Sequence, residues 1–200
     1  MLILRILVLG AVFLKTGIAP AGADESEPPT AGWKKYVNGR FGFSVHYPPG
    51  WRLGQPLADG MGITLHPPIP NSQFALCGFL NTIEGTSQDG RQTLQEFAAA
   101  HRRIIEDVYA KKNIQLKWED EHSVTLGGRP AVQLTFSYRD ASQAQIIELH
   151  IFSLGRNEGR GVRIKVRDSD RKALMPEFAK LLQTYEPGRD QDAVSPFARP

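Results

Sequence analysis

The sequence predicts an α+β domain in which helices flank a central antiparallel sheet of about six or more strands. Three strand-like runs with alternating side chains lie between residues 124 and 166, joined by short polar turns. An amphipathic helix precedes these runs, and a second helical segment follows them. A period of two is typical of strands and spacings of three and four of helices. Strands grouped apart from helices indicate the α+β class.

Residues 1–23 predict a secretory signal peptide. Arg5 precedes an apolar run from Ile6 to Leu14, and small residues end the segment at Ala23. The run is too short to span a bilayer as a permanent helix, and an uncleaved membrane anchor is the alternative. Cleavage after Ala23 predicts a periplasmic or secreted protein with no integral membrane span. It lowers the formal net charge from +3 to +1, which gives little support for nucleic-acid binding.

The remaining chain predicts one domain between two unstructured ends. Residues 24–32 are acidic and proline-bearing, which predicts a flexible leader, and residues 188–200 predict a disordered tail. Residues 33–187 are numerous enough to form a single domain with its own core, and we expect a monomer. Cys77 is the only cysteine, so no internal disulfide can form, and its apolar neighbours predict a buried thiol.

The first half of the domain predicts four strands and a helix. Strands over 33–37 and 40–47 are predicted around Asn38-Gly39, a favoured hairpin dipeptide, and the turn Pro48–Gly50 ends the second. Two further strands are predicted over 63–66 and 74–81, followed by a glycine-containing linker. The helix has an apolar stripe formed by Leu94, Phe97, Ala98, His101, Ile104, Ile105 and Val108. A hydrogen-bonded core histidine is expected at His101.

A long strand over 114–126 leads into the three alternating runs. Gly127-Gly128 predicts a tight hairpin turn. We expect the apolar members of all three runs to share one face, leaving the opposite face largely polar. The apolar members are Val132, Leu134, Phe136 and Tyr138, then Ile147, Leu149 and Ile151, then Val162, Ile164 and Val166.

The last helical segment begins after Asp168 or Ser169, either of which can cap it. Pro176 predicts an interruption, with a second helical piece starting near the proline. The apolar stripe of this segment contains Leu174, Phe178, Leu181, Leu182 and Tyr185. We expect the stripe to cover the apolar face of the sheet.

Two motifs and the order of elements resemble the Mog1/PsbP-like domains, a group that includes PsbP and the bacterial DcrB-like proteins. The stretch from Phe41 to Trp51 is similar to the opening hairpin of that group, and Val124 to Pro130 to its turn before the meander. The C-terminal helix with Phe178 and Leu182 completes the likeness, which covers about residues 33–187. The resemblance implies an α/β/α sandwich with helices on both faces, no shared catalytic residues, and roles in protein binding or assembly.

The clearest candidate binding residues are basic. Alternation places Arg163, Lys165 and Arg167 on one strand face, and with Arg160 they form a candidate partner-binding row for an acidic surface or anionic headgroup. The alternative is a solvated face whose cations pair with Glu148 on the neighbouring strand. The five histidines show no metal-ligand spacing, so we expect neither a metal site nor a cofactor.

The sequence predicts a binding or assembly module, not an enzyme. It contains no nucleophile elbow, zinc-protease, phosphate-loop or dinucleotide-binding motif. We therefore expect an exported module that acts on a protein or envelope partner. One alternative is a hydrolase or other enzyme with a cleft near Pro48–Gly50, and another is a carrier of a small apolar or anionic ligand. A pocket with convergent polar groups would favour these alternatives over partner docking.

Overall fold

The structure, a computed structural model, describes residues 31–81, 93–156 and 158–188. The predicted signal peptide, nearly all of the predicted leader and tail, and the linker before the first helix lie outside these residues. The helices are α1 (Leu94–Ala110) and α2 (Asp168–Gln183). The strands are β1 (Lys34–Val37), β2 (Ser44–Tyr47), β3 (Arg52–Pro56), β4 (Gly62–His66), β5 (Gln73–Leu80), β6 (Lys117–Leu126), β7 (Arg129–Arg139), β8 (Gln145–Leu154) and β9 (Glu158–Arg167).

Seven of these strands form the central sheet, in the order β3-β4-β5-β9-β8-β7-β6. Every neighbouring pair is antiparallel, which confirms the predicted class of fold. β1 and β2 form a separate two-stranded sheet. β3 was not predicted as a strand.

The two helices lie on opposite faces of the sheet. Ile146 belongs to a core cluster with Ile105 of α1, whereas Ile147 belongs to a cluster with Phe178 of α2. Adjacent residues of a strand point to opposite faces, so the two clusters are on opposite sides. Both faces are therefore apolar where a helix covers them.

The expectation of one shared apolar face is wrong because of the register between β7 and β8. Leu134 pairs with His150, and Gln133 pairs with Ile151. Directly paired residues point to the same face, so the apolar set of β7 lies beside the polar set of β8. The β7 set faces α1, whereas the apolar sets of β8 and β9 face α2.

The amphipathic pattern of α1 correctly predicted a helix with one side packed on the sheet, but Ile104 and Val108 of the predicted apolar stripe are exposed. Thr93 caps the helix through a capping box, in which its side chain accepts from the amide of Glu96 while Glu96 accepts from the amide of Thr93. The buried side of the helix packs over β7 and β8 through Ala98 and Ile105. This packing places His101 above β8.

Three local predictions were wrong. β1 and β2 pair from Val37 to Ser44, so a six-residue loop joins them where a two-residue turn was expected. The side chain of Asn38 stabilises the loop by accepting from the amides of Arg40 and Phe41. α2 runs without interruption through Pro176, and no side chain caps its start.

Candidate functional site

A groove lies beside α1, over β4, β5 and β9. Because α1 packs over β7 and β8, no described helix covers this part of the face. The groove has a volume of about 490 Å³, within the range of roughly 300–1,000 Å³ typical of small-molecule sites. Its lining is mostly apolar and includes Ala75, Cys77, Phe79, Phe97 and Phe152, together with the polar side chains of Gln73, His101, His150 and Arg163.

Aromatic rings form the apolar wall of the groove. Phe79 of β5 stacks on Phe97 of α1 with ring centroids 4.8 Å apart and an interplanar angle of 9°. Phe152 of β8 meets Phe97 edge-on at 5.1 Å. Stacked and edge-to-face pairs are both favourable arrangements of aromatic rings. The wall is thus a packed aromatic surface, suited to the body of an apolar ligand.

A chain of hydrogen bonds connects the groove to a buried carboxylate. His101 Nε2 lies 2.9 Å from His150 Nδ1, and His150 Nε2 lies 3.2 Å from Glu148 Oε2. Because the carboxylate only accepts, His150 donates through Nε2, and in its neutral form Nδ1 then accepts from His101. The predicted hydrogen bond of His101 is confirmed, but its side chain is half-buried at the groove and does not lie in the core.

Glu148 is the centre of this polar network. Its side chain is 1% exposed, and its Oε1 accepts hydrogen bonds from the hydroxyls of Tyr109 at 2.8 Å and Tyr138 at 2.9 Å. Arg163 donates to both carboxylate oxygens, through Nε at 2.9 Å and Nη2 at 3.3 Å. Buried charges require such pairing, and here four side chains supply it.

The network shifts the pKa values of Glu148 and His101. Burial alone would raise the pKa of Glu148, but the hydrogen bond from His150 and the positive charge of Arg163 lower it to about 2. Burial, followed by the proximity of His150, lowers the pKa of His101 to about 4. At neutral pH the network therefore contains an ionised Glu148 and a neutral His101.

The predicted basic row separates into two groups. Arg163, Lys165 and Arg167 are half-buried and lie on the α1 side, where Arg163 pairs with Glu148 as the alternative interpretation expected. Arg160 points to the opposite side, is 1% exposed, and donates to the carbonyls of Phe41 and Pro187. Arg160 therefore joins chain segments in the interior, and its inclusion in an exposed row is corrected.

The role of Glu148 was missed in the sequence. Alternation predicts it to be a surface partner of the basic row, because it lies on the strand face expected to be polar. The available signal was its position in the run Ile146-Ile147-Glu148-Leu149, where apolar residues occupy both strand faces. A carboxylate within such a run indicates a buried ion pair.

Other features limit the chemistry of the described residues. No group of three or more His, Cys, Asp or Glu side chains among them is arranged to hold a metal ion. Trp51, beside the Pro48–Gly50 turn, packs on Phe178 of α2, so this turn is on the opposite side of the sheet from the groove. Neither α1 nor α2 has the length and apolar character of a membrane-spanning helix.

Solved structures with the same architecture include the solution structure of cyanobacterial PsbP (CyanoP) from Synechocystis sp. PCC 6803. It is 10% identical, with a TM-score of 0.58, and the match covers 82% of this chain and 97% of CyanoP. A protein from Bacteroides thetaiotaomicron is 13% identical, with a TM-score of 0.50, and the match covers 81% of this chain and 50% of that protein.

LpqN of Mycobacterium tuberculosis, which is involved in cell envelope biogenesis, is 16% identical. Its TM-score is 0.45, and the match covers 82% of this chain and 88% of LpqN. No protein-family model matches the sequence, and comparison with curated protein sequences gives no match. At these identities the likeness to CyanoP establishes a PsbP-like fold, and the predicted resemblance is confirmed at that level.

Proposed function

We propose that this PsbP-like domain is an exported, non-enzymatic binding module that holds a small ligand in the groove beside α1. The observation that carries the proposal is the groove of about 490 Å³, with its apolar lining and the polar groups that converge on it. Such a site favours the ligand-carrier interpretation over docking on a flat basic face. Arg163, predicted as part of a docking row, lines this groove.

The titration of Cys77 and His101 supports binding without covalent chemistry. Both side chains line the groove, and a reactive cysteine paired with histidine requires a lowered thiol pKa and a protonated imidazole. Here burial raises the pKa of Cys77 to about 11, and burial lowers the pKa of His101 to about 4. Both shifts favour the neutral forms, so the two groups are poorly suited to act as a nucleophile and its activating partner.

Blocking the groove should abolish binding of a neutral apolar probe. Ala75 is half-buried in the groove, so the indole of Ala75→Trp would occupy the space available to a ligand. We expect the wild-type chain to bind Nile red with a rise in fluorescence, and Ala75→Trp to weaken this binding about tenfold or more.

The matched control is Ala99→Trp, which adds the same side chain at an exposed position of α1. This variant should bind the dye as the wild type does, and thermal melting should show that both variants are folded. Equal binding by a folded Ala75→Trp variant, or no binding by the wild type, would contradict the proposed function.

Export is the second part of the proposal, and it rests on the pattern of residues 1–23. The expected mature protein starts at Asp24 and is recovered from the periplasmic or secreted fraction. N-terminal sequencing of the protein from its producing cells measures this directly. A chain that begins at Met1 would refute cleavage and favour the membrane-anchor alternative.

A further inference from the structure

Arg163 forms part of the charged end of the groove. Glu148 occupies the Nε and Nη2 edge of its guanidinium group. The side chain is nevertheless 41% exposed, and no described residue accepts a hydrogen bond from Nη1. Arginine has five N–H donors in a fixed plane, so donors remain for a ligand after Glu148 is bound.

Lys165 lies on the same sheet face, two residues from Arg163, and adds a positive charge next to the groove; it does not line the groove itself, but its pairing partner Gln73 does. Its backbone neighbours are Glu148 on β8 and Gln73 on β5, and its side chain is half-buried. Glu148, the carboxylate opposite Lys165 in the sheet, forms its ion pairs with Arg163 and His150. Lys165 therefore has no ion-pair partner among the residues that the structure describes.

The formal charges of Arg163, Lys165 and Glu148 sum to +1. Arg163 and Lys165 carry two positive charges, Glu148 carries one negative charge, and His101 is neutral at pH 7. Arg167, the next residue of the row, acts electrostatically on Asp140 at the turn between β7 and β8. One negative charge would balance this end of the groove, whereas a purely apolar ligand would desolvate its cations without compensation.

We propose that the ligand is a monocarboxylate with an apolar tail, a fatty-acid-like anion bound as a single molecule. Its tail packs against the aromatic wall of Phe79, Phe97 and Phe152, and its carboxylate lies beside Arg163 and Lys165. A planar carboxylate matches the planar N–H donors of a guanidinium group better than a neutral polar head does. This inference rests on the proposed function and names its ligand class.

The test compares three ligands with the same tail: decanoate, methyl decanoate and 1-decanol. Calorimetric titration of the full mature chain should give about tenfold tighter binding for decanoate than for the uncharged ligands. The preference should shrink as salt is raised, because salt screens partly exposed charges. Lys165→Gln should weaken decanoate binding several-fold and leave methyl decanoate unchanged.

Lys172→Gln is the matched control, since Lys172 is an exposed residue of α2 on the opposite face. It should change the binding of none of the three ligands. Equal affinity for the acid, the ester and the alcohol would overturn the inference and leave the proposed apolar site intact if Nile red still binds. If neither Nile red nor any of the three ligands binds, both the inference and the proposed function are refuted.

A separate arm distinguishes a single fatty-acid molecule from an anionic membrane surface. The protein is sedimented with vesicles of phosphatidylglycerol, and we expect it to remain in the supernatant. Sedimentation with the vesicles combined with no binding of monomeric decanoate would overturn the inference in favour of a membrane surface.

Discussion

Replacement of Glu148 by alanine is expected to lower the free energy of unfolding by about 3 kcal/mol, near the lower end of the range for breaking a buried ion pair. The carboxylate is 1% exposed and accepts hydrogen bonds from Tyr109, Tyr138, Arg163 and His150. Its removal leaves these donors without their acceptor and opens a cavity between α1 and the sheet. Arg163 is partly exposed, so water compensates for part of the loss.

Urea denaturation of the wild type and the variant measures this change. Glu148→Gln keeps the size of the side chain but removes its charge, and we expect a loss between those of the wild type and Glu148→Ala. Glu177→Ala is the control, because Glu177 forms only an exposed pair with Lys180, worth about 0–1 kcal/mol. A loss for Glu148→Ala no larger than that for Glu177→Ala would show that the network does not stabilise the fold.

Stability should fall as the pH decreases from about 6.5 to about 4, because of His101. The unfolded chain binds a proton at this residue below its ordinary pKa of 6.5, whereas in the folded protein burial lowers the pKa to about 4. Protonation therefore favours the unfolded state within this interval, by about 2–3 kcal/mol in total. The contribution of Glu148 is present above its ordinary pKa of 4.5 and is lost as the pH falls towards 2.

The variant His101→Gln tests this assignment because an amide donates a hydrogen bond but does not titrate. The loss of stability between pH 6.5 and 4, followed by urea denaturation at a series of pH values, should be largely absent in this variant. His122→Gln is the control, since the side chain of His122 is 44% exposed on β6. An unchanged pH profile in His101→Gln would assign the effect to other groups.

The limits of sequence-based prediction are clearest between β7 and β8. Alternation correctly identified which residues of each strand share a face, and the pair Gly127-Gly128 correctly located a hairpin, in which both glycines have positive φ. Alternation could not decide which face of β8 lies beside the apolar face of β7. Shifting the pairing of the two strands by one residue would place the other face of β8 there. In β8 both faces are largely apolar, so the hydrophobic pattern does not select a register.

The candidate site was predicted only in part for the same reason. Periodicity within single elements predicted that Arg163 and Lys165 share a strand face. It also predicted that His101 lies on the apolar side of α1. The pairing of His101 with His150 depends on how α1 crosses the sheet, which no local pattern specifies. The groove arises because α1, the described helix on this face, covers only part of the seven-strand sheet, a property of the assembled layers.

The interior position of Arg160 has a consequence for the order in which the domain is completed during synthesis. Its guanidinium group joins the carbonyl of Phe41, near the start of the domain, to that of Pro187, near its end. Ser44 of β2 likewise exchanges backbone hydrogen bonds with Glu186. Contacts between such distant residues form late, since the intervening chain must first be ordered. A nascent chain therefore cannot close this part of the fold until Glu186 and Pro187 have left the ribosome.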